Sequence, residues 1–117
     1  MAQHNELGQW GEDLAAEHLC TKGYVIVERD WHSGRRDLDI IAIDSDTLVF
    51  VEVKTRRNNM FADPAAAVDY RKIQNLRQAA NHFIKSRGIN NPVRFDIVTV
   101  TGTPGGTPDI DHIVDAF

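Results

Sequence analysis

The sequence is poor in the features that mark a disulfide-stapled, zinc-organised or membrane-spanning chain. Among 117 residues there is one cysteine, Cys20, so no internal disulfide can form. No CxxC or HExxH spacing offers a structural zinc site. No run approaches the roughly 20 apolar residues of a transmembrane helix, and the start, MAQHNELGQWGEDLA, lacks the basic-then-apolar pattern of a signal peptide. A soluble, cytoplasmic protein without a membrane partner is therefore expected. Nor is there an excess of basic charge: 13 Lys and Arg stand against 17 Asp and Glu, for a net charge of −4. Taken alone, that total argues against a nucleic-acid partner.

What is present belongs to a globular protein. A hydrophobic fraction of 42% and a charged fraction of 26% exclude disorder and fibres, and the length suits a single domain over residues 1–117. The charge is strongly segregated. Residues 1–53 hold 4 basic and 11 acidic side chains, residues 54–94 hold 9 and 2, and residues 95–117 hold none and 4. The local balances of −7, +7 and −4 allow a basic surface within an acidic protein, although a solvated helix face would produce the same counts.

Apolar spacing through Leu7, Gly11, Leu14, Ala15 and Leu19 predicts an amphipathic helix from about Glu6 to Lys22, stopped by Gly23. Three β-branched runs follow, YVIVERDW, DLDIIAID and TLVFVEVKT, separated by HSGRR and by Asp44-Ser45-Asp46. Pro64 in DPAAAV suits a short turn of helix. A second long helix runs through Ile73, Leu76, Ala80, Phe83 and Ile84, with Asp69 as N-cap and Gly88 as stop. VRFDIVTV is a fourth strand, TGTPGGTP a loop and DIDHIV a short last strand. The order helix-strand-strand-strand-helix-strand-strand predicts an α/β fold with a mixed central sheet flanked by helices. The second and third strands are apolar on both faces, with Ile41, Ile43, Leu48 and Phe50 on one side and Leu38, Ile40, Ala42, Val49, Val51 and Val53 on the other.

Charged residues stand where these central strands end. If the two strands flanking Ser45 and Asp46 form a symmetric hairpin, Asp39 falls opposite Glu52, and Asp37 opposite Lys54. Opposed carboxylates beside a core are unfavourable unless something neutralises them. A divalent cation such as Mg²⁺, which takes oxygen ligands and is held by as few as one or two carboxylates, is an economical solution. With a neighbouring ammonium, such a set suits phosphodiester hydrolysis. The competing interpretation is a solvent-facing strand end with a weak Asp37–Lys54 salt bridge.

The segments RRDLDIIA, TLVFVEVKTRR, RKIQNLRQAA, RFDIVTV and HIVDAF resemble, from end to end, the YraN family of uncharacterised bacterial proteins. That family is similar to the restriction-endonuclease-like PD-(D/E)xK nucleases, including archaeal Holliday-junction resolvases. The resemblance implies a restriction-endonuclease-like fold and a Mg²⁺- or Mn²⁺-dependent endonuclease that hydrolyses DNA, on branched or single-stranded substrates. It implies Asp39 and Glu52 as catalytic metal ligands, Lys54 as the lysine assisting the attacking water, and Glu12 as an auxiliary ligand from the first helix. Position alone gives Glu12 an equal reading as a first-turn acid favoured by the helix dipole. Asp37 stands where the family has a longer glutamate and Gln74 follows Ile73 where it often has glutamine, so both are auxiliary candidates. Resolvases cut two strands, and by that analogy a homodimer is expected.

Arg56 and Arg57 directly follow the strand carrying Lys54, and Arg71 and Lys72 open the second helix. These four are the candidate nucleic-acid contacts, against the alternative of ordinary surface charge. The five histidines show no ligand spacing, Trp10 and Trp31 read as core, and Cys20 reads as a packed thiol. Besides the nuclease, two further classes fit: a nuclease-fold module that binds nucleic acid or a protein without useful catalysis, and a small structural protein.

Overall fold

The computed structural model describes residues 6–58 and 69–117; His4 and the expected DPAAAV turn lie outside that range. The elements are α1 (Glu6–Thr21), β1 (Val25–Ser33), β2 (Arg36–Asp44), β3 (Thr47–Arg56), α2 (Tyr70–Arg87), β4 (Val93–Thr101) and β5 (Asp109–Ile113). Local chemistry accounts for several boundaries. Asp69 Oδ1 accepts the Lys72 N–H at 2.9 Å, capping α2. Gly88, at φ 61°, lets the chain leave α2 while its N–H returns to the Ile84 and Lys85 carbonyls. The β1–β2 turn is tighter than HSGRR suggested: His32, Ser33 and Arg36 are strand residues, and Gly34 at φ 63° with Arg35 makes the turn.

The five strands form one sheet in the order β1-β2-β3-β4-β5. β3 and β4 are parallel, joined by the crossover through α2, and every other pair is antiparallel. The sheet is thus mixed, with β3 at its centre. On one face Ala15, Ala16 and Leu19 of α1 pack with Ile40, Ala42, Val49, Val51, Val98 and Val100. On the other, Leu76, Ala79, Ala80 and Phe83 of α2 pack with Ile41, Leu48, Phe50 and Ile97. Trp10 borders the first core, and Trp31 borders the second with its ring edge-on to Phe83. No helix among the described residues is long and apolar enough to cross a membrane.

Leu38 departs from the expected pattern. It packs beneath α2, whereas Ile40, two residues on, packs beneath α1. Residues two apart on a regular strand share a face, so the alternation slips by one at Asp39. β1 slips at the same level: Arg29 reaches Glu12 of α1, whereas Trp31 lies under α2. Between them Asp30 has φ 52°, in the left-handed region. The register Arg29↔Ile40 and Trp31↔Leu38 places Asp30 across from Asp39. Both strands of the β1–β2 ribbon therefore turn over together, a feature that alternation counted from sequence cannot reveal.

Cys20 is exposed, contrary to the packed thiol expected, because the buried arc of α1 ends at Leu19. A buried polar knot ties β4 to the end of the chain. Asp96 accepts from Arg94 Nε at 2.9 Å, from His112 Nε2 at 2.7 Å and from the Asp115 N–H at 3.0 Å. Lys22 Nζ lies 2.9 Å from His112 Nδ1, and since an ammonium only donates, the imidazole proton sits on Nε2, facing Asp96. Burial by itself would raise the Asp96 carboxyl, but the His112, Arg94 and Asp115 donors outweigh it and hold the group at about 2.

α1 sits close to β3 because Gly11 faces Thr55: a Cβ at Gly11 would fall 2.0 Å from Thr55 Oγ1. Gly11→Ala is expected to cost about 1–3 kcal/mol in urea unfolding, part of which Thr55→Ala in the same chain restores. Asp96 stabilises the fold above its ordinary pKa near about 4 and ceases to do so as pH falls towards its folded value. The stability gap between wild type and Asp96→Asn should accordingly be full at neutral pH and close as thermal melts are carried into acid.

Candidate active site

β2 and β3 keep the expected hairpin register from Asp44↔Thr47 to Ile40↔Val51, where their pairing ends. The next level is that of Asp39 and Glu52. There the Asp39 side chain takes over from the backbone: its Oδ2 accepts the Val53 N–H at 2.9 Å. Beyond this point β2 follows β1. Asp37 pairs with His32, whose Nδ1 hydrogen-bonds Asp37 Oδ1. Lys54 pairs instead with Thr99 of β4. The expected Asp37–Lys54 opposition is therefore replaced, because the ribbon has already parted from β3.

Glu52 is buried at 5% exposure. It shares a crevice with Leu38, Phe50, Leu76, Phe95 and Phe117, apolar groups that cannot solvate a carboxylate. Burial pushes the Asp39 carboxyl well above the ordinary range and the facing Glu52 pushes it further, against the opposing Val53 N–H and Lys72 ammonium. Lys72 Nζ of α2 stands 3.2 Å from Glu52 Oε2. This contact is an ion pair by distance, yet it is angled so that Oε2 receives no hydrogen bond from any described residue. Burial alone would lower the Lys72 ammonium, but the Glu52, Asp39 and Asp37 carboxylates more than compensate and raise it. Lys72, expected as a phosphate contact on the helix surface, also stands as the counter-charge of Glu52.

Glu12 is 2% exposed and meets Arg29 Nε at 3.0 Å. Burial raises its carboxyl, Asp30 raises it further, and Arg29 opposes both. The structure thus brings Glu12 to Arg29 and Asp30. Among the described residues no group of three or more His, Cys, Asp or Glu side chains is placed to hold one ion. Lys54 shares a strand face with Glu52, two residues along, and is partly exposed. Arg57 and Arg71 are exposed and Arg56 is partly so. These three lie at the end of β3 and the start of α2, and no ion pair joins them to a described residue.

Beside the carboxylates opens a cleft of about 360 Å³, lined by Arg35, Arg36 and Asp37 of the β1–β2 ribbon and by Lys72, Asn75 and Leu76 of α2. Asn75, and not Gln74, is the polar helix residue lining it, since Asn75 follows Lys72 by three positions and shares its face. Arg35, Arg36 and Asn75 were not singled out in the sequence. The only signal was their place beside Asp37 and Lys72, and it becomes readable once the ribbon is seen to turn over.

The donor set fits a hard divalent cation. Two carboxylates face each other: Asp39, whose charged form burial and Glu52 disfavour, and Glu52, whose buried Oε2 accepts no hydrogen bond from a described residue although the Lys72 ammonium stands 3.2 Å away. Mg²⁺ accepts such a two-carboxylate site and completes its shell with water.

A family model described as "Uncharacterised protein family UPF0102" matches residues 11–100. A UPF0102 protein of Bacteroides thetaiotaomicron is 50% identical over 117 residues, covering 100% of this chain and 96% of the relative. One from Phocaeicola vulgatus is 43% identical over 118 residues, covering 100% and 96%. Another, from Syntrophomonas wolfei, is 45% identical over 115 residues, covering 97% and 99%.

Burial and the facing Glu52 disfavour the charged form of Asp39, so removing the ionisable group should help the fold where the unfolded chain is ionised. Because burial raises the folded pKa, this group contributes least to stability at high pH and its penalty fades as pH falls through the folded value. In chelator, Asp39→Asn, which keeps an oxygen for the Val53 N–H, is expected to melt higher than wild type at pH 7–8 (about neutral), with the difference shrinking in mild acid.

Proposed function

The chain belongs to the UPF0102 family, the family of YraN, and from that premise we propose that it is a divalent-metal-dependent endonuclease hydrolysing DNA phosphodiester bonds. The observation that carries this reading is the Asp39–Glu52 pair, Glu52 buried and Asp39 partly so, beside a cleft lined by Arg35, Arg36 and Lys72. Asp39 and Glu52 would hold Mg²⁺ or Mn²⁺. When bound, the cation would neutralise the pair and acidify a water molecule for attack on phosphorus. Asp39 keeps its orientation through the Val53 N–H, so the carboxylate is positioned before anything binds. Lys54, along the strand from Glu52, would orient the attacking water and steady charge developing on the phosphate. Glu12 would act from behind, holding Arg29 and fixing the charge around Asp30, next to Asp39. Arg56, Arg57 and Arg71 would extend phosphate contact beyond the cleft, with salt-sensitive and sequence-independent binding.

A second reading, a nuclease-fold module that binds without cutting, is favoured by one observation. Lys72 already stands against Glu52 and partly neutralises the pair without a metal. Cutting both strands of a branched DNA would need two copies of the chain, so a homodimer forms part of the nuclease proposal.

Purified protein incubated with branched and single-stranded DNA should cleave in Mg²⁺ or Mn²⁺ and not in chelator. Asp39→Asn and Glu52→Gln are expected to lose cleavage by at least about 100-fold, and Lys54→Ala by about 100- to 10,000-fold, with none of the three melting below wild type by enough to explain the loss. Cleavage surviving in Asp39→Asn and Glu52→Gln would falsify the assignment. DNA binding without metal-dependent cleavage would favour the second reading.

A further inference from the structure

The cleft between the β1–β2 ribbon and α2 has a chemistry separate from the carboxylate pair beside it. Its lining brings together Arg35, Arg36, Lys72 and Asn75, with Asp37 the single acid and Leu76 the one apolar residue. Asp37 is engaged across the ribbon with His32, so it does not balance this charge alone. Arg36 Nε is buried and has no hydrogen-bond acceptor among the described residues. A buried, charged donor without an acceptor is costly, and a guanidinium fork matches a phosphate in shape and charge. The volume, about 360 Å³, lies within the range of small-ligand clefts.

We infer that this cleft is a phosphate-binding subsite, in which Arg36 and Arg35 grip one phosphate group of a nucleotide strand and Lys72 contacts the same group from α2. Lys72 is then shared. With the cleft empty of anion its charge serves Glu52, 3.2 Å away; with phosphate present, part of that charge is drawn off. Glu52 would then need another cation. Phosphate and divalent cation should consequently bind with positive cooperativity, each strengthening the other by the same factor. This coupling rests on the metal-site reading above, whereas the phosphate site does not.

Calorimetric titration of the full chain with a 5′-phosphorylated thymidine dinucleotide, in chelator and then in Mg²⁺, tests both. Wild type should bind in chelator, and Arg36→Met should weaken binding about tenfold. Arg36→Lys should be intermediate, with melting temperatures confirming that both variants fold. The unphosphorylated dinucleotide and inorganic phosphate separate an internal phosphodiester from a terminal phosphate as the group recognised. Mg²⁺ should tighten wild-type binding at least about fivefold, and Lys72→Met should abolish that gain. Equal affinity in wild type and Arg36→Met, or no binding at all, overturns the subsite. Arg36-dependent binding indifferent to Mg²⁺ keeps the subsite and removes the coupling; separate titration of Mg²⁺ alone shows whether the metal reading fails with it.

Discussion

The hydrogen bond from the Val53 N–H to the Asp39 carboxylate marks the place on which the rest of the site depends. β2 and β3 share a ladder up to Ile40 and Val51 and then part. A strand that leaves its neighbour strands a backbone donor in a half-buried position, and Asp39 supplies the missing acceptor. By doing so it keeps its own carboxylate against Glu52. It also lets the β1–β2 ribbon turn over as a unit, with Asp30 in a left-handed conformation opposite. One consequence is Leu38 beneath α2; another is the ribbon tip, with Arg35 and Arg36, facing α2 across a cleft.

The two charged centres of the molecule show opposite physics. Asp96 is wholly buried but surrounded by donors, and its pKa falls to about 2, as expected for a carboxylate whose charge the fold has fully satisfied. Asp39 faces Glu52 with its charged form disfavoured, while Glu52 is buried against apolar groups with the Lys72 ammonium 3.2 Å from its Oε2. A fold able to build the first arrangement does not need the second for stability. That contrast is what supports the proposal that the pair serves a ligand.

Much of this was legible in the chain. The order of elements, both ends of α2 and the hairpin register follow from apolar periodicity, capping residues and the Ser45–Asp46 turn, all local signals. The register alone brought Asp39 to Glu52. The turning-over at Asp39 was not legible, because Leu38-Asp39-Ile40 alternates as any strand does and the slip depends on where β3 stops pairing. That single unseen event misplaced Leu38, opposed Asp37 to Lys54, and hid Arg35 and Arg36. Lys72 was read as a surface cation for a related reason: its position on α2 is visible in sequence, whereas the side chain's approach to Glu52 requires knowing which sheet face α2 covers. The Arg94–Asp96–His112 knot depends on β5 returning His112 to β4, which no local pattern announces. The net charge of −4 likewise says little about the local field, since Arg35, Arg36 and Lys72 line one cleft with Asp37 its single acid.

The central claim is that the Asp39–Glu52 pair is built for a divalent cation. Crystals grown or soaked in Mn²⁺ and measured for anomalous scattering test it most directly. The claim predicts a Mn²⁺ peak at Asp39 and Glu52, with Lys72 Nζ moved away from Glu52 Oε2. A map with no peak there at saturating Mn²⁺, and Lys72 still against Glu52, would contradict it.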